Sequence, residues 1–150
     1  MKRLTLLAAV SLACVGAAIT LAAHARGASS TERTINLKGT ITSIKLAVGK
    51  KYGAGGLGYI SGTLSKGKAA GRITGVCAQV DKARQQCTFV LGLPEGQIIL
   101  TSGYGPGLNA GAVAHEAIVG GTGAYDGARG QGDDREVGSH GLEFHLRLLR

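Results

Sequence analysis

The residues of this chain with chemistry to offer are few and scattered. His115-Glu116 lies just after a glycine-rich loop and is the best pair for acid–base work. Neighbouring strand residues point to opposite faces, so at most one of the two reaches an interior. Tyr59, Tyr104 and Tyr125 have phenol tips able to hydrogen-bond a ligand, although aromatic residues in strands ordinarily serve packing. His115, His140, Glu143 and His145 are metal-ligating types, and Glu143 and His145 share a strand face. The close ligand spacing of a zinc site is missing, so no metal is expected and solvated histidine is the favoured reading. Two phosphate-loop look-alikes carry little weight. Gly62-Thr63-Leu64-Ser65-Lys66-Gly67-Lys68 is followed by Ala69, where a magnesium-binding hydroxyl belongs. Gly53-Ala54-Gly55-Gly56-Leu57-Gly58 lacks the strand–helix–strand surroundings of a dinucleotide site.

The elements that must position these residues begin after a leader. Met1-Lys2-Arg3 is basic, Leu4 to Ala22 is apolar apart from small hydroxyl residues, and Ala23-His24-Ala25 is a small-x-small cleavage pattern. Residues 1–25 therefore read as a secretory signal peptide, with a retained anchor as the alternative. Export is expected, with no membrane span in the mature form. Cleavage removes Cys14 and leaves Cys77 and Cys87, an even pair in an oxidising compartment, which predicts a disulfide stapling two neighbouring strands near a hairpin. A C-x-x-C redox spacing is absent.

The chain has 150 residues, a net charge of +8 and 26 glycines. That is room for one domain, with glycine spread between β-branched runs as in a protein of many short strands. Residues 26–33 read as a flexible arm and residues 34–150 as a single domain. Ile35, Leu37 and Ile41 alternate with polar residues, and the phase changes at Thr42-Ser43, which predicts a bulge or a break. Further strands are expected at 59–64, 70–80, 86–93, 97–102, 113–119, 127–131 and 141–149. The last alternates strictly through Leu142, Phe144, Leu146 and Leu148. Gly132-Asp133-Asp134 reads as a turn. Eight or nine short strands and no convincing helical period argue for an all-β antiparallel barrel or sandwich.

The most distinctive stretch is Ala117-Ile118-Val119-Gly120-Gly121-Thr122-Gly123-Ala124-Tyr125, followed by Gly127-Ala128-Arg129-Gly130. Its glycines predict tight turning or close backbone approach, and period two would place Tyr125, Gly127 and Arg129 on one strand face. With Gly71 to Cys77, the spacing to Cys87, and Leu93-Pro94-Glu95-Gly96-Gln97-Ile98, this stretch resembles the allene oxide cyclase and dirigent superfamily in its small secreted bacterial branch. The resemblance implies an eight-stranded antiparallel barrel with a mostly apolar lumen, no metal or organic cofactor, and often a homotrimer. It also implies an activity, cyclase-like or dirigent-like, in which the barrel acts as a mould. Only Arg129 is carried over from the family as a polar group of the lumen. The acid that plant dirigent members carry near the strand Gly58-Tyr59-Ile60 is missing, and no Asp or Glu lies between Glu32 and Asp81.

Charge is uneven along the chain. Residues 26–84 hold eleven basic and two acidic side chains, and residues 85–150 hold four and seven. A basic half suits an anionic surface, but the chain has no Trp for base stacking, so nucleic acid is not an expected partner. Two functions follow. The first is a secreted, cofactor-free barrel that binds a small apolar molecule and guides its cyclisation or coupling, with Arg129, Tyr125, Tyr59, Tyr104 and His115 as ligand-binding candidates. The second is a non-enzymatic extracellular or envelope-associated module with a filled barrel, using Lys50, Lys51, Lys66 and Lys68.

Overall fold

A computed structural model describes residues 31–48, 55–81, 84–104 and 113–149. The signal segment, Lys50 and Lys51 lie outside these residues, as does the side chain of Tyr104. Eight strands follow one another in chain order: β1 (Arg33–Val48), β2 (Leu57–Lys66), β3 (Ala69–Gln79), β4 (Gln85–Leu93), β5 (Gly96–Tyr104), β6 (Val113–Gly123), β7 (Arg129–Val137) and β8 (Gly141–Leu149). Each pairs antiparallel with the next, and β8 pairs back onto β1 to close the barrel. Closure leaves no free strand edge.

The core is the lumen. One face of every strand but β7 supplies it: Ile35 and Leu37 from β1, Leu64 from β2, Ile73 from β3, Phe89 and Leu91 from β4, Ile98 and Leu100 from β5, Ile118 from β6, and Leu142, Phe144, Leu146 and Leu148 from β8. Burying each of these large side chains is worth roughly 1.5–3 kcal/mol. Space for the rings comes from inward positions with no side chain. A Cβ added at Gly75 would lie 2.4 Å from the Phe89 ring, and one at Gly132 would lie 2.5 Å from Leu146.

Phase changes occur where pairing slips. In β1 the register shifts between Ile41 and Ser43, the expected bulge. In β6 it shifts opposite Ile99 and Leu100, so that Gly120 faces Ile99 and Ile118 faces Leu100. This second bulge keeps both Ile118 and Gly121 on the interior side of one strand.

Two expectations are corrected. Gly132-Asp133-Asp134 is not a turn but the middle of β7, paired on both sides: Gly132 with Glu116 and Leu146, Asp134 with Ala114 and Phe144. Ladder bonds along both edges override the local preference of a Gly-Asp-Asp sequence for turning. Tyr125, Gly127 and Arg129 do not share a strand face either. Strand β6 continues to Gly123, the turn occupies residues 124–127, and β7 starts at Arg129.

The two ends of the barrel differ. One carries short connections, Gly67-Lys68 and Pro94-Glu95, together with the 124–128 segment. There Tyr125 and Ala128 are fully buried. At the other end, longer connections join β1 to β2 and β5 to β6.

Candidate functional site

Inward positions near the long-loop end break the apolar pattern. Ser102 on β5 pairs with Glu116 on β6, and Glu116 pairs with Gly132 on β7. Asp134, two residues further along β7, shares this interior face. All three side chains are buried, at 6%, 3% and 4% exposure. Directly opposed antiparallel residues have Cβ atoms roughly 4.5–5.5 Å apart, and diagonal neighbours such as Glu116 and Asp134 roughly 7–8 Å. The three side chains therefore form one continuous interior patch. Ser102 Oγ has no hydrogen-bond partner among the described residues. Half-buried Glu136 continues the inward face of β7 toward the rim, opposite Leu142.

The wall beside Ser102 is the disulfide. Cys77 and Cys87 are paired across β3 and β4 and bonded to each other, with Cα atoms 4.0 Å apart. Cys87 in turn faces Ser102 across β4 and β5. The expected staple is present, and it lines the lumen. Beneath it lie Phe89, Leu91, Leu100, Phe144 and Leu146, an apolar floor.

The closed end has a different polar group. Tyr125 donates a hydrogen bond to Glu95 Oε1 at 2.7 Å, and the Lys66 ammonium contacts both Glu95 Oε1 and, at 3.1 Å, the Tyr125 hydroxyl. Arg33 and Lys66 each lie 5.7 Å from the centre of the Tyr125 ring, in cation–π range. The Lys66 and Tyr125 bonds hold the Glu95 carboxyl down at about 2, from an ordinary 4.5. The bond to Glu95 raises Lys66, and burial first raises the Tyr125 phenol. Gly121 makes this closure feasible, because a Cβ there would lie 2.3 Å from the Tyr125 carbonyl oxygen and 2.8 Å from its Cβ.

These positions separate the candidate residues. Arg129 faces outward, since its neighbour Gly130 takes the inward position, and its guanidinium bonds the Ala128 carbonyl at 2.8 Å. It is therefore not a lumen group, which corrects the expectation. Tyr125 is buried but engaged in closing the barrel. Tyr59 stands on the outer wall opposite Val76, at 47% exposure. His115 also faces outward, 2.6 Å from Asp133, so Glu116 is the member of that pair that enters the lumen. His145 bonds Asn36 on the outer wall. Among the described residues, no group of three or more His, Cys, Asp or Glu side chains comes together as a metal site.

Asp134 and Ser102 escaped the sequence reading. Their signal was phase. Asp134 follows Gly130 and Gly132 at inward spacing, but a strand there is visible only once both its partners are known. Acids are absent from β1 to β3, as the resemblance made plain, and the lumen's carboxyls enter instead from β6 and β7.

No family model matches the chain, and no curated protein matches it by sequence. Solved structures do. A pyocyanin demethylase superposes with a TM-score of 0.66 at 24% identity, covering 77% of this chain and 99% of that one. A pterocarpan synthase dirigent protein superposes with a TM-score of 0.66 at 15% identity, covering 81% and 89%. A Diels–Alderase from Streptomyces koyangensis gives 0.57 at 13% identity, covering 83% and 70%. At these identities the likeness is one of fold: the chain has the dirigent-like barrel architecture.

Proposed function

We propose that this dirigent-like barrel is a secreted binding mould for a small, largely apolar molecule, whose cyclisation, coupling or proton transfer it guides. The observation that carries the reading is the sidedness of the lumen. Ser102, Glu116 and Asp134 sit together above an apolar floor, enclosed by a closed sheet. Small-molecule sites have this composition, with mostly apolar walls and a few convergent polar groups. The fold neighbours include proteins named for reactions of small molecules, a demethylase and a Diels–Alderase among them.

The chemistry within reach is acid–base. A protonated carboxyl can give a proton to a developing oxyanion or carbanion, and a carboxylate can accept one or steady a developing positive charge. Two carboxyls on neighbouring strands tend to take different protonation states, because ionising one disfavours ionising the other. Ser102 supplies a hydroxyl to orient the ligand. No resident organic cofactor enters this scheme, and the apolar floor acts by holding one conformer of the ligand. The homotrimer implied by the family resemblance belongs to the proposal, and light scattering of the mature protein tests it.

The test is native mass spectrometry of the protein purified from its own culture medium without reductant. A small molecule retained at fixed stoichiometry, and lost in Glu116→Gln, is the expected result. A protein that is empty and refuses apolar probes overturns the reading. It would favour the envelope-associated module, which the basic first half of the chain and the packed floor suit.

A further inference from the structure

The outer wall of the barrel has two kinds of face. Across β7, β8 and β1 the outward side chains are largely charged, with Asp133, Arg135, Glu143, Arg147 and Lys38 on neighbouring strands. Lys38 and Glu143 lie 3.4 Å apart there. Across β4, β5 and β6 the outward positions from Gln86 to Gly92, Gln97 to Gly103 and Ala117 to Thr122 hold no charged side chain. Val90, Ile99 and Gly120 form one row across these three strands, and Thr88, Thr101 and Ala117 form the next. The bulge in β6 turns Val119 outward beside them, at 44% exposure. An exposed face without charge, bordered by polar wall, is a mark of an interaction site.

The glycines of this face are a separate sign. Gly92 and Gly120 stand at outward positions, and neither has a positive φ. A Cβ at Gly92 would come no nearer than 3.6 Å to the surrounding atoms, and one at Gly120 no nearer than 3.8 Å. The single chain therefore gives no steric or conformational reason for glycine at either place, although glycine weakens a strand. Glycine inside a strand also marks sites where another backbone approaches closely.

We infer that the outer face of β4, β5 and β6 docks against a second copy of this chain. Strands about 4.8 Å apart, with outward positions about 6.8 Å apart and Thr74 and Val76 of β3 as a flank, make a patch roughly 20 Å by 25 Å. With its side-chain relief, that approaches the roughly 800 Å² that one partner contributes to a standard interface. The occupant is a second copy because the face asks for no charge in its partner and offers the same rows of small, uncharged side chains in return. Copies related by symmetry need only a surface that fits itself. A charged polymer lying here would bury its charges without partners. The inference does not rest on a ligand in the lumen, and it supplies a contact face for the assembly proposed above.

The test is the mass of the disulfide-intact protein in solution, by light scattering and sedimentation over a concentration series. Two or more chains per particle are expected. Thr88→Lys puts a charge into the face, and Gly120→Gln fills space that is open in the single chain. Each should weaken association by at least about tenfold, and either one alone decides the matter. Both should keep the circular dichroism spectrum, since Thr88 is exposed and a side chain at Gly120 has room. Thr40→Lys, on the outer wall of β1, should associate as the unaltered protein does. Association that persists in the folded face variants, or that Thr40→Lys weakens as much, overturns the inference and leaves the homotrimer standing. A protein that is monomeric throughout overturns the inference and the homotrimer together, and leaves the small-molecule reading to its own test. A monomer that sediments with phosphatidylcholine vesicles, and no longer does so as Thr88→Lys, also overturns it and gives the face to a lipid surface.

Discussion

The barrel's two ends each bring acidic side chains together with a hydroxyl group, yet they do opposite things with them. At the closed end, Glu95, Lys66 and Tyr125 satisfy one another within a compact triangle beside the short connections. The carboxylate has its ammonium, the phenol has its acceptor, and the ring lies under two cations. At the long-loop end, Glu116 and Asp134 are more deeply buried than Glu95, among an uncharged hydroxyl, a disulfide and apolar walls. Polar groups matched to each other stabilise a fold. Burying carboxyls away from water carries a desolvation cost that an apolar residue in the same place would not. The contrast separates the end of the barrel that its own side chains hold shut from the end that the proposed function assigns to the ligand.

The sharpest way to break this comparison is to remove Tyr125. Tyr125→Ala takes a fully buried ring from the closed end and should cost about 3–5 kcal/mol in denaturant unfolding. A loss no greater than that of Glu116→Gln would mean that the closed end is not the stabilising one. The disulfide belongs to both the wall and the site. Cys77→Ala/Cys87→Ala should cost about 2–3 kcal/mol, the range set by its short loop, and should lower the melting temperature. Next comes Glu116→Gln/Asp134→Asn, which should shift stability by less than about 1 kcal/mol or raise it, because neutral amides are cheaper to bury than carboxylates. The same variant should lose ligand retention, and a large loss of stability with retention unchanged would reverse the assignment of roles.

The smallest effect is one of pH. The folded-state pKa of Glu95 lies near 2, below its unfolded value. The Glu95 contribution is therefore complete above about pH 4.5 and is lost as pH falls through about 2. Lys66 is raised, so its share is complete below its ordinary 10.5 and is lost as pH rises beyond its folded value. The pair is about one-third exposed, so solvent screening limits the effect to about 1 kcal/mol or less. Glu95→Gln should flatten the acid limb of a stability–pH curve between 4.5 and 2, and an unchanged limb would assign the acid sensitivity to other carboxyls.

How much of this was legible depends on the range of the signal. The strands that alternate cleanly, β1 through Leu37 and β8 from Leu142 to Leu148, are readable because period two is a local property. The glycines of Gly120-Gly121-Thr122-Gly123 announced close backbone approach. Their purpose, admitting Tyr125 and holding a bulge, needed the neighbouring strand and turn in place. His115-Glu116 was readable as a pair of which one member could enter, but the choice belongs to the register with β5 and β7.

β7 marks the boundary between the two. By local chemistry Gly132-Asp133-Asp134 is a turn, and only pairing with β6 and β8 makes it a strand that delivers Asp134 inward. Arg129 shows the same limit in reverse, since a turn ending one residue later would have pointed it inward. Composition and alternation determined by themselves that this is an all-β chain with an apolar interior face, and the cysteine pair foretold its cross-strand link. Tertiary structure decided which charges lie inside, because a side chain's face depends on strand register, and register is set by the partners that close the barrel.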